Sequence, residues 1–212
     1  KIVKACINSM KMNFPDRDIV LLSSKNIDEY IQLPEYIVEK KNKGIISAAH
    51  FSDLLRVELL CKFGGLWVDA TVLCTSSNII HKMSELPLFL YKKWDMINGI
   101  DAPIVASSSL IFAQSNQRIL LLTRKLLHLY WKTENNLNEY FLFHIFFAIS
   151  ARRYKKDWDA IPMFNDCNYH NLQLELESKF NENRWHQICE ISDFHKLTHK
   201  VDYSKSKNSF YQ

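Results

Sequence analysis

Three residues in one short stretch, Asp53, Arg56 and Asp69, have the types and spacing to do chemistry. Asp53 and Arg56 stand three apart in an amphipathic run, so a helix carries both on one face. The run stops at Gly64-Gly65, a pair suited to the positive φ that ends a helix. Leu66-Trp67-Val68 then reads as a short buried strand, and Asp69 falls at its carboxyl end, where ligands collect in open α/β sheets. This order brings an ion pair on a helix end and a carboxylate on a strand tip to one cleft. Taken singly, each feature also has an ordinary reading. An exposed Asp–Arg pair is worth only about 0–1 kcal/mol, Gly-Gly is common loop chemistry, and Asp69 would serve equally as a turn residue.

The elements that must position these residues follow from the flanking pattern. A helix is expected over residues 1–13, stopped at Pro15, and a fully buried strand over Asp18 to Ser23 on the strength of Ile19-Val20-Leu21-Leu22. Asn26 is placed to cap a short helix, and a further helix spans Glu35 to Lys43 and is released at Gly44. The main helix covers Ser47 to Phe63 and the motif strand Leu66 to Asp69. Strands are expected at Pro87 to Tyr91 and Ser109 to Ala113. Gln117 to Trp131 has a wide leucine face and reads as a helix. Asn138 to Tyr154, Tyr169 to Phe180 and Trp185 to Cys189 read as helices too. The pattern describes an α/β domain with short strands.

A chain of 212 residues is one domain by length, and 47% apolar residues with four Gly and five Pro give a well-packed, helix-rich composition. No apolar run nears the roughly 18 residues that span a bilayer, and the start has neither the apolar stretch nor the cleavage site of a signal peptide. A cytoplasmic chain is expected. The five cysteines are scattered and never form a CxxC pair, which favours free thiols over disulfides or zinc. The net charge of +4 is modest. Basic clusters at Arg152-Arg153 with Lys155-Lys156 and at Lys196 to Lys207 suit either a solvated face or anionic lipid, the first being the commoner case. No pattern of a nucleic-acid-binding module is present.

The stretch from His50 to Arg56 and from Gly64 to Val72, HFSDLLR followed by GGLWVDATV, resembles GT-A fold glycosyltransferases that carry a DXD-type motif, a group including glycosylating toxins and Och-type mannosyltransferases. Within that group it resembles the bacterial capsular polysaccharide synthesis family, over most of the chain from about Lys4 to about Lys200. The resemblance implies a GT-A-like, Rossmann-like mixed sheet flanked by helices. It also implies transfer of a sugar from a UDP- or GDP-sugar donor to a capsular or other surface-glycan precursor, with Mn²⁺ or Mg²⁺ and with retention of anomeric configuration. The acceptor would be a glycan or lipid-linked saccharide, with peripheral placement at the membrane's inner face compatible with the basic clusters. The family usually begins with a strand and a tryptophan-rich turn that this sequence does not show.

By the same resemblance, Asp53 would accept from donor-sugar hydroxyls and Arg56 would contact the sugar or diphosphate. Asp69 would bind the metal or the ribose. Thr71 stands where many relatives have a second aspartate, and a hydroxyl is the weaker ligand. Phe194 to Lys200, FHKLTHK, resembles the family's HKLTxK segment, which puts His195 forward as a metal or diphosphate ligand and Lys196 as a phosphate contact. His199 lies four residues on, a spacing that on a helix would suit zinc. Glu139, before Tyr140-Phe141, is a candidate for stabilising the developing cation or orienting the acceptor, against its plain use with Asn138 at a helix start. His144 reads as a core histidine. Trp94, Asp95 and Asn98 are candidates for an acceptor wall by position alone. Two other readings stay open: a toxin-like transferase acting on protein, and a non-catalytic glycan- or nucleotide-binding module of the same fold.

Overall fold

Strands β1 (Gly65–Val68), β4 (Ala106–Ala113) and β3 (Leu88–Lys92) form an antiparallel sheet in that order, with Trp67 opposite Ile111 and Val68 opposite Leu110. This is seen in a computed structural model, which describes residues 1–93, 104–203 and 208–211. A second, two-stranded antiparallel sheet pairs β2 (Val72–Cys74) with β5 (Phe194–Lys196). Alternate side chains of the first sheet enter two cores. Leu88, Leu90, Ile111 and Ala113 meet Leu54, Val57, Trp131, Phe143 and Phe147 on one face. Phe89, Tyr91 and Leu110 meet Phe14, Tyr169 and Phe194 on the other. Burial on both faces is why these strands read as continuous apolar runs.

Helices α4 (Ala48–Phe63), α6 (Arg118–Thr133) and α7 (Leu142–Arg153) cover the first face. Helices α1 (Ile2–Asn13) and α9 (Asp166–Glu175) lie toward the second, with α10 (Glu182–Ile191) closing a third small core around Cys6, Leu172, Ile188 and Leu197. The remaining helices are short: α2 (Ile27–Tyr30), α3 (Glu35–Asn42), α5 (Ile80–Glu85) and α8 (Lys155–Ala160). Helix α4 starts where Ser47 accepts from His50 N. It stops at Gly64, whose φ is +69° and whose missing Cβ would sit 2.8 Å from Ser115 N and 2.9 Å from Ala113 O. That close backbone crossing admits only glycine, and it turns the chain from α4 straight into β1.

The α/β architecture with helices around a small sheet matches expectation. The mixed, Rossmann-like sheet does not appear among the described residues, where both sheets are antiparallel. Asp18 to Ser23 forms no strand and no ladder, and Val20 and Leu21 are 45% and 51% exposed. The cleft described below lies between this segment and β1, so the apolar run has no neighbouring strand to pair with. Helix α7 begins at Leu142, four residues after Asn138. Elements α5, α8, β2 and β5 are too short for a periodic signal. All five cysteines are free. No helix among the described residues is long and apolar enough to cross a membrane.

Candidate functional site

The Arg56 guanidinium is the centre of the arrangement. It is 3% exposed and sits between the rings of Trp67 and Phe143, 5.1 and 5.2 Å from their centroids. Its Nη1 donates to Asp53 Oδ1, and its Nη2 donates to Asp69 Oδ1 at 3.2 Å. Trp67 Nε1 donates to the same Asp69 oxygen at 2.9 Å. The other Asp69 oxygen, Oδ2, accepts from Lys196 Nζ at 3.3 Å, and that ammonium also donates to Thr71 Oγ1 at 2.6 Å. Two carboxylates and two cations thus balance in one chain of hydrogen bonds. Burial pushes the Asp53 carboxyl above its ordinary range, against the pull of Arg56.

The backbone holds this chain in place. Asp69 N donates to Ser109 O at 2.8 Å, and Val72 N donates back to Asp69 O at 3.0 Å, a tight turn that points Thr71 at Lys196. Val72 lies opposite Lys196 in the β2–β5 ladder, and Leu197 N donates to Thr71 O at 2.8 Å. Asp69, Thr71 and Lys196 line a cleft of about 1340 Å³, joined there by His170, His199 and Lys200. Another part of the same cleft is largely apolar, lined by α1, the 18–23 segment and β1. Asp53 and Arg56 do not form its wall; they stand behind Asp69 and Trp67.

A second charged cluster flanks the first. Asp166, 4% exposed at the start of α9, accepts from Lys93 Nζ at 2.7 Å. His170 Nδ1 lies 3.0 Å from Asp166 O and 3.4 Å from Asp166 Oδ2. Both neighbours are acceptors, so Nδ1 carries the proton and Nε2 is left for the cleft. Burial acts to raise the Asp166 carboxyl, but the hydrogen bonds from His170 and Lys93 outweigh it and hold it low. Hydrogen bonding to Asp166 raises His170 in turn. The two clusters are bridged by Ser109, whose carbonyl holds Asp69 N and whose Oγ lies 2.9 Å from the buried Tyr169 hydroxyl. The i, i+4 spacing of Asp166 and His170 after the cap Asn165 was the one signal in the sequence.

Among protein families, the one described as capsular polysaccharide synthesis protein matches residues 1–212. The chain belongs to that family. No curated protein and no solved structure matches it.

The chain places the other expected site residues differently. His195 is fully buried, and its Nε2 lies 3.0 Å from Thr75 Oγ1. Adjacent residues of β5 face opposite ways, so Lys196 points to Asp69 and His195 points away. Burial pushes His195 down to about 4. His199 is beyond the end of β5 and shares no helix with it, so the zinc-like spacing has no meaning here. Glu139 is exposed, and its Oε1 accepts from Phe141 N at 3.0 Å, the helix-start use rather than a place in the cleft wall. His50 bridges Ser47 Oγ at 2.7 Å and Tyr140 O at 3.1 Å. A carbonyl only accepts, so His50 Nε2 is protonated and the ring ties α4 to the segment before α7. His144 is half-buried near Arg56 and Lys93 and is pushed down to about 4, burial first and those charges second. Trp94, Asp95 and Asn98 lie outside the described residues.

Among the described residues no three His, Cys, Asp or Glu side chains gather as metal ligands. Asp69, Thr71 and His195 do not converge, and Lys196 Nζ stands between the first two. This donor set does not fit a resident divalent cation.

Proposed function

We propose that this chain transfers a sugar from a nucleotide-sugar, UDP- or GDP-linked, to a capsular or related surface-glycan precursor on a GT-A-like framework. The observation that carries the reading is the Asp69–Thr71–Lys196 set on the cleft wall, fixed from behind by Arg56, in a chain of the capsular polysaccharide synthesis family. Transfer requires the leaving diphosphate to be neutralised and the sugar to be held in one pose. Lys196 supplies a positive charge at the wall, with Lys200 and His170 beside it. Asp69 presents a carboxylate whose geometry is set by three donors. Asp53 and Arg56 are positioning residues, acting through Asp69 rather than by touching the sugar.

Asp53 and Asp69 are both engaged by Arg56, so neither is free to act as the nucleophile of a double displacement. Departure and attack on one face of the sugar, with retention, suits such a site. The acceptor side of the reading, a glycan or lipid-linked saccharide, rests on the family alone.

The test is release of nucleoside diphosphate and labelling of a lipid-linked saccharide fraction from a panel of UDP- and GDP-hexoses. In Asp69→Asn the amide turns an N–H toward Lys196, and transfer is expected to fall about 100-fold, the scale for losing one preorganised electrostatic contact. Absence of transfer from every donor, with nucleotide still bound, would replace this reading by that of a binding module.

A further inference from the structure

The geometry points to the Lys196 ammonium as the cation that serves the diphosphate, standing where a DXD-type site would hold a divalent metal. This rests on the nucleotide-sugar reading of the cleft. Lys196 Nζ is 2.6 Å from Thr71 Oγ1 and 3.3 Å from Asp69 Oδ2, the two side-chain oxygens that such a site would turn to its metal. A divalent ion sits about 2.0–2.6 Å from its oxygen ligands, so it would occupy the space of this ammonium and be repelled by it. The remaining Asp69 oxygen already accepts from Arg56 and Trp67. The nearest histidine in sequence, His195, is buried on the opposite side of β5 against Thr75.

The lysine is built in rather than draped over the site. Its backbone is paired with Val72 in the β2–β5 ladder, and Leu197 N anchors the next residue to Thr71 O. Its side chain is 23% exposed. An ammonium has three N–H donors. Two are spent on Thr71 and Asp69 within the protein, which leaves the third for a ligand oxygen. Charge points the same way: Asp53, Asp69, Arg56 and Lys196 sum to zero, so the frame itself offers no excess negative charge to attract a divalent ion. A lysine placed this way binds phosphate as a point charge, with Lys200 and His170 on the same wall.

Two measurements on the full chain test this. The first uses Mn²⁺ alone, followed by its electron paramagnetic resonance signal. Free-ion intensity should persist at protein concentrations of about 1 mM, the range of weak extracellular cation sites. One equivalent of bound Mn²⁺ that disappears in Asp69→Asn would overturn the inference. The second follows thermal stability with UDP and GDP, in chelator and in Mn²⁺. The selected nucleotide should raise the melting temperature equally in both conditions. Lys196→Met, which keeps the stem packing, should weaken affinity about tenfold or more. A rise seen only with Mn²⁺, or undiminished in Lys196→Met, would overturn the inference and leave the nucleotide reading standing. No rise with either nucleotide in either condition would overturn both.

Discussion

The two charged clusters beside the cleft are built on opposite principles. In the Asp53–Arg56–Asp69–Lys196 set, the central cation is buried between two aromatic rings and shared by two carboxylates. In the Lys93–Asp166–His170 set the central group is a buried anion held by the Lys93 ammonium and the His170 imidazole, and its Oδ1 has no hydrogen-bond partner among the described residues. The first is a frame: moving one member leaves the buried Arg56 or a carboxylate beside it without its partner. The second keeps an unused acceptor and a half-exposed imidazole, so it can readjust. Rigidity sits behind Asp69, and adjustability sits beside it.

Breaking the frame should have the largest effect. Arg56→Met leaves Asp53 and Asp69 facing each other without their cation and should cost about 3–5 kcal/mol, read from urea unfolding. Asp166→Asn should cost less, about 1–3 kcal/mol, because it removes charge from one buried acceptor while its hydrogen-bonding outline survives. Equal costs would erase the contrast. Arg56→Lys keeps the charge but not the planar fork; it should stay folded by circular dichroism and lose most transfer, and wild-type turnover would sink the frame's role.

The turn that feeds the frame gives a smaller and sharper comparison. Gly64→Ala combines a strained φ of +69° with a clash against backbone atoms and should cost about 2–3 kcal/mol. Gly65→Ala, at φ +89° with nothing within 4 Å, should cost only about 1 kcal/mol from the backbone alone.

The histidines should show opposite pH signs. His144, between Arg56 and the Lys93–Asp166 pair, is held down at about 4. Its stabilising effect is present above the unfolded value of about 6.5 and is lost as pH falls toward 4. His195 acts in the same direction. His170 is raised, so its effect is present below about 6.5 and is lost as pH climbs through its higher folded value. Unfolding midpoints from pH 4 to 8 should therefore flatten at the acid side in His144→Leu and at the neutral side in His170→Gln.

The frame was half legible in the sequence because half of it is local. The helix from Ser47 to Phe63, the i, i+3 pair Asp53 and Arg56, and the Gly64-Gly65 stop all express themselves within a few turns of chain. The burial of Arg56 was not legible, since it depends on Phe143 of another helix, and it moves Arg56 and Asp53 from the cleft wall to its support. Lys196 reaches Asp69 across 127 residues through a ladder of only three pairs. His195 and His199 suggested a helix face, and the strand's alternation of sides sent His195 the other way. Ile19-Val20-Leu21-Leu22 has a strand's composition but no partner across the cleft. Asp166 and His170 carried a spacing signal without any apolar pattern to raise it above chance.

The central claim is that the frame exists to hold a nucleoside diphosphate at the polar end of the cleft. Calorimetric titration of UDP and of GDP into the wild-type chain and into Asp69→Asn tests it most directly. The account predicts one-site binding of one of the two nucleotides by the wild type, weakened about tenfold or more in Asp69→Asn. No heat from either nucleotide, or the same affinity in both proteins, would contradict it.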